Sequence, residues 1–142
     1  MNKICGILVG HGEYPYAVYR TIESILGSQR NFEIISNQNC SSVQIQQQIE
    51  GVIKKYPNFA IIIFADLLGG SCGIVSQKII KSSKNNLNAD VTDKREIALI
   101  GPVHLSMLIK FFQYREKLSF QELINLLLQA SRDEIRVVTP DF

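Results

Sequence analysis

The apolar positions along this 142-residue chain fall into two alternating patterns. Ile4 to Val9 is a short, almost wholly apolar run that ends in Gly-His-Gly, and Phe59 to Ala65 (FAIIIFA) is a second, closed by Asp66. Unbroken runs of this length suit strands buried on both faces. Glu33 to Ser36 and Glu96 to Ile100 are shorter runs of the same kind. Between them the apolar positions recur at helical spacing. Val18, Ile22, Ile25 and Leu26 make one stripe, stopped by Gly27. Ile45, Ile49, Val52, Ile53 and Tyr56 make another behind Ser41, with Gln44 placed to complete a capping box. A third helix is predicted from near Ser71 to about Ser83, and a fourth carries Leu105, Leu108, Ile109 and Phe112. Ser119 with Glu122 caps a fifth that holds Leu123, Leu126, Leu127 and Ala130.

Strand and helix therefore alternate four times before the final helix, which predicts an α/β fold: a doubly wound, mainly parallel four-stranded sheet with helices on both faces. Lys84 to Lys94 is polar and rich in Asn, and reads as a surface loop before the fourth strand. After the last helix, expected to end near Arg132, Glu134 to Val138 (EIRVV) is a short β-prone run closed by Thr139 and Pro140. An open sheet leaves edges that such a strand can cover.

Composition narrows the picture further. With 46% apolar residues the chain can bury a core as one domain spanning residues 1–142. Fifteen Lys and Arg against thirteen Asp and Glu are interspersed along the sequence, so no basic run suggests nucleic acid or an anionic membrane. Cys5, Cys40 and Cys72 are far apart and lack C-x-x-C spacing, which reads as reduced thiols in a cytosol. The apolar N-terminal run is too short for a signal peptide, and no stretch approaches the roughly 20 apolar residues that span a bilayer. A cytoplasmic protein is expected.

The candidate chemistry lies at two strand ends. In an open α/β sheet the ligand crevice lies beyond the carboxyl ends of the strands, where neighbouring connections leave to opposite faces. With strand order 2-1-3-4, that point falls between strands one and three, which end in His11 and Asp66. Adjacent strands lie about 4.8 Å apart, so the two side chains can meet. Gly10 and Gly12 leave the imidazole unshielded. Gly69, Gly70 and Ser71 form a turn that opens a helix, whose backbone N–H groups can hold an oxyanion. A carboxylate at Asp66 would fix one tautomer of His11 and leave its other nitrogen as a nucleophile, a constellation for a group carried on histidine. Taken singly each feature has a commoner use in turns, and the joint placement is what gives the reading weight. Cys72 and His104, taken with His11, leave a Cys-His hydrolase or a zinc site as alternatives, although a Cys at a helix start more often packs. Tyr14, Tyr16 and Tyr19 read as packing or partner contacts.

"GHG" after the first strand, "ADLLGGS" (Ala65 to Ser71) after the third and "SFQELINLLLQASRDEI" near the C-terminus resemble the EIIA domain of the mannose-family sugar phosphotransferase system, over almost the whole chain. That resemblance implies that His11 is phosphorylated by the phosphocarrier HPr and passes the phosphoryl group to an EIIB domain, with Asp66 as partner of the ring. Gly12, Gly69, Gly70 and Ser71 would bind the phosphoryl oxygens. No metal or other cofactor is implied, and the membrane subunits EIIC and EIID are met only indirectly. It also implies a homodimer in which the terminal strand runs antiparallel to the sheet and is exchanged between subunits. A regulatory or dihydroxyacetone-kinase-linked carrier of the same fold is the alternative. The family usually has proline where this chain has Cys72, and Asn with a following Pro near His104 and Ser106.

Overall fold

A computed structural model of the chain describes residues 3–85 and 95–141. Four strands, β1 (Ile4–Gly10), β2 (Phe32–Ser36), β3 (Ala60–Ala65) and β4 (Ile97–Ile100), form one sheet in the order β2-β1-β3-β4, every pair parallel. The inner strands β1 and β3 are the ones with unbroken apolar sequence, because both of their faces are covered; β1 is buried along its whole length. The helices are α1 (Tyr14–Leu26), α2 (Ser42–Lys55), α3 (Ser71–Asn85), α4 (Leu105–Tyr114) and α5 (Phe120–Glu134).

Alternation along β1 divides the core in two. Ile4 and Leu8 point to one face with Ile62 and Phe64, where they meet Ile22 of α1, Leu108 and Phe111 of α4, and Leu123 and Leu127 of α5. Cys5, Ile7 and Val9 point to the other with Ile61 and Ile63, against Ile45 and Ile49 of α2 and Cys72, Val75 and Ile79 of α3. The chain thus leaves β1 toward the first face and β3 toward the second, which makes the gap between their ends the switch point of the fold.

The capping signals act as the sequence suggests. Ser41 accepts a hydrogen bond from the Gln44 N–H while the Gln44 side chain accepts one from the Ser41 N–H, and Ser119 accepts from the Glu122 N–H. The polar segment Lys84 to Lys94 falls largely outside the described residues. At the C-terminus α5 continues to Glu134, two residues beyond the expected end, and Glu134 pairs with Lys110 of α4 across 3.6 Å. Residues 135–139 form no strand with any of the described residues, and Ile135, Val137 and Val138 are 81%, 76% and 81% exposed. A β-prone segment becomes a strand only when an edge supplies its hydrogen-bond partners.

An aromatic cluster closes the first face. Phe111 is fully buried, edge-on to Phe64 with ring centroids 5.0 Å apart, and also touches Phe32 and Phe112. Gly6 lies beneath it: a Cβ there would come within 2.6 Å of the Phe32 ring. The guanidinium of Arg115 covers Phe111 and Phe112 and donates to the carbonyls of Arg30 and Asn31, anchoring the entry to β2. Phe111→Ala is expected to lower stability by about 3–5 kcal/mol, as for other buried aromatics. Urea unfolding followed by circular dichroism measures it, and a loss below 1 kcal/mol would show that the cluster does not support the sheet.

Candidate functional site

The register of the sheet brings His11 and Asp66 together. Val9 lies opposite Ala65, and the ladder continues one step further, where the Asp66 N–H donates to the Val9 carbonyl at 3.2 Å. The Asp66 carboxylate then lies against the residue that follows Gly10. Its Oδ2 accepts the His11 backbone N–H at 2.8 Å, and its Oδ1 accepts the Leu67 N–H at 2.8 Å. Nδ1 of the His11 ring lies 3.0 Å from Oδ1 and 2.9 Å from Oδ2. An ionised carboxylate only accepts, so Nδ1 is the donor, and in the neutral ring Nε2 keeps its lone pair. The His11 side chain is 39% exposed and that of Asp66 11%, so the carboxylate is sheltered while the ring faces solvent.

The loop that holds the histidine is fixed from a third strand end. Gly12 has φ 55°, a left-handed conformation that glycine adopts without a Cβ penalty. Its N–H donates to Asn37 Oδ1 at 3.0 Å, and its carbonyl accepts from the Ser36 hydroxyl at 2.7 Å. The Asn37 N–H in turn donates to the Gly10 carbonyl. Sequence reasoning passed over Ser36 and Asn37; the only available signal was that two small polar residues close the second strand in "SNQN".

Of the glycines in the second motif, Gly70 has a steric reason. A Cβ there would lie 2.9 Å from His11 Cε1 and 3.2 Å from Nε2, so the free edge of the ring lies against bare backbone at the start of α3. Gly69 has open space around it. Ser71 is the exposed first residue of α3, and Cys72 behind it is buried. Burial, and then the charge of Asp66, push the Cys72 thiol up, opposite to what a nucleophilic thiolate needs. His104 occupies the N-cap position of α4 without capping it, and its buried Nε2 has no hydrogen-bond partner. A Cys-His hydrolase finds no support in these two residues. Tyr14 donates its hydroxyl to the Val103 carbonyl at 3.3 Å; burial and the Asp66 charge raise its pKa. Tyr14, Leu67, Leu68 and Ile74, close to the pair in sequence, are exposed.

Comparison with known proteins gives a family match and several structures of the same fold. The family described as PTS system fructose IIA component matches residues 6–128. The fructose-specific EIIA component of the PTS of Bacillus subtilis strain 168 is 22% identical over 133 residues, covering 92% of this chain and 84% of that protein. Among solved structures, the phosphotransferase system component EIIA from Streptococcus agalactiae superimposes with a TM-score of 0.81 at 24% identity, covering 94% of this chain and 96% of that one. The mannose/sorbose specific IIA subunit from Enterococcus faecalis gives 0.76 at 16% identity, covering 96% of each. These two likenesses show a shared fold.

The contact between Gly70 and the ring is testable without any assay of function. Gly70→Ala is expected to push the imidazole away from its position on Asp66 and to change the ring-nitrogen NMR signals of His11. A spectrum identical to that of the parent protein would mean that the backbone, and not the ring, yields.

Proposed function

The chain belongs to the EIIA family of the mannose and fructose type, components of the phosphotransferase system, and on that premise we propose that it carries a phosphoryl group on Nε2 of His11. The observation that carries this reading is the pairing of Nδ1 with Asp66, which in the neutral ring leaves the Nε2 lone pair free, on a part-exposed side chain beside Gly70. The donor is phospho-HPr and the acceptor an EIIB domain, which hands the group on to a sugar bound by the membrane subunits EIIC and EIID.

In the first transfer the Nε2 lone pair forms a bond to phosphorus as the bond from phosphorus to the donor's nitrogen breaks. Nδ1 keeps its proton, and the positive charge that develops on the ring is balanced by the carboxylate of Asp66. The backbone N–H groups of Gly69, Gly70 and Ser71, the Ser71 hydroxyl and the turn at Gly12 surround the phosphoryl oxygens, with the N-terminus of α3 favouring their negative charge. The second transfer reverses these steps toward EIIB. No metal takes part. Exposed Tyr14, Leu67, Leu68 and Ile74 offer apolar surface to both protein partners.

We place the protein in the cytoplasm, as one domain that forms a homodimer; among the described residues no helix is long and apolar enough to cross a membrane. The exposed Ile135, Val137 and Val138 supply the dimer contact by adding an antiparallel strand to the partner's sheet.

Incubation with phosphoenolpyruvate, enzyme I and HPr should place acid-labile label on the protein. His11→Ala should fold and remain unlabelled, His104→Ala should take up label, and Asp66→Asn should fold but transfer at least about a hundredfold more slowly, since an amide cannot balance the ring's charge. Label on His11→Ala, or equal rates with and without the Asp66 carboxylate, would sink the assignment.

For the dimer, light scattering should give twice 16.0 kDa for the intact chain and a monomer or aggregate once residues 135–142 are deleted. A monomeric intact protein at micromolar concentration would refute strand exchange.

A further inference from the structure

The position after the Gly69–Gly70–Ser71 turn brings a third kind of donor to the pair. Ring nitrogen of His11, carboxylate oxygen of Asp66 and Sγ of Cys72 all lie within 4.8 Å of one another. Each comes from a different element: His11 follows β1, Asp66 follows β3, and Cys72 lies in the first turn of α3. Nitrogen, oxygen and sulfur donors are those that zinc accepts, and three protein ligands with an open fourth position form an exchangeable type of zinc site. Zinc–ligand bonds of about 2.0–2.3 Å at tetrahedral angles set the donors about 3.4–3.6 Å apart. His11 and Asp66 need to open slightly from their present 2.9–3.0 Å, and the sulfur needs to approach by at most about 1.2 Å.

The geometry points to a zinc-class divalent cation site on His11, Asp66 and Cys72, occupied in exchange for the phosphoryl group. The other thiols take no part. Cys5 is buried within β1 and donates to the Gly6 carbonyl, and Cys40 accepts from the Gln48 amide. Neither belongs to a three-donor group among the described residues, and nor does His104. Of the three ligands the His11 side chain is the most exposed, at 39%, so the ion would reach the site from that side. On binding, the thiol proton passes to solvent, as does the ring proton where Nδ1 is the ligand.

This consequence rests on the carrier reading above: an ion on Nε2 blocks the phosphoryl acceptor, and an ion on Nδ1 displaces the Nδ1–H pairing with Asp66 that balances the ring's charge, so either way each weakens the other. By linkage, phosphorylation lowers zinc affinity by the same factor as zinc lowers that for the phosphoryl group. Zinc would then hold the carrier in its unphosphorylated form.

The test uses the full chain, freed of metal with a chelator and titrated with Co²⁺ as a spectroscopic probe. One equivalent should produce a thiolate-to-cobalt charge-transfer band together with the intense visible absorption of a tetrahedral site, and Zn²⁺ should abolish both. In Cys72→Ser the charge-transfer band should vanish and zinc affinity should fall at least about tenfold, while Cys40→Ser should behave as the parent protein. Because Cys72 is a core residue, His11→Ala provides a second variant that removes a ligand from the surface; it too should lose the site, with its circular dichroism unchanged. No band with stoichiometric cobalt, or a band that survives Cys72→Ser, overturns the proposal. A chain that binds cobalt but takes no label from phospho-HPr keeps the metal site and loses the carrier reading; one that is labelled but binds no metal does the reverse.

Discussion

The parallel register of β1 on β3 is the constraint on which the site depends. Val9 opposite Ala65 sets the two strand ends level, and the Asp66 N–H bonded to Val9 places its carboxylate under the His11 backbone and ring at once. A slip of one residue would send the side chains of a whole strand to the opposite face and bury Asp66 in an apolar core. The hydrophobic pattern that stabilises the sheet is therefore the same force that aligns the chemistry. Gly10 completes the fit, since a Cβ there would stand 3.2 Å from Asp66 Oδ2 and crowd the carboxylate.

Around that pair, rigidity comes from backbone and exposure from side chains. The carboxylate is held by two main-chain N–H groups, so its orientation does not depend on the imidazole. The loop at Gly12 is held by Ser36 and Asn37, so three neighbouring strand ends contribute. Preorganised groups of this kind lower the cost of aligning a nucleophile with its reaction partner. Of the pair, the His11 ring remains part-open to solvent while the Asp66 carboxylate is sheltered.

Cys72 brings a third kind of donor atom to the edge of such a frame. It packs with Val75 and Ile79 in the core of the second face, yet its sulfur lies on the boundary between that core and the crevice. A residue can therefore satisfy packing and alter the chemistry of the neighbouring site without moving any strand.

The sequence by itself determined the elements and the candidates. Runs such as FAIIIFA, the stripes behind Ser41 and Ser119 and the two glycine motifs are properties of contiguous residues, and local patterning reads them directly. His11 and Asp66 were legible because each immediately follows an apolar strand, and the alternation of elements made those strands neighbours. Tertiary structure alone decided what depends on register and approach across the chain. The Asn37 contact with Gly12 spans 25 residues and the His11 contact with Asp66 spans 55. It also separated Gly70, pressed against the ring, from Gly69, which has open space, though the two are adjacent and identical in sequence. In the same way it left residues 135–139 without a strand partner among the described residues. A propensity becomes a strand, and a donor becomes a ligand, only when folding brings a partner within a few ångströms.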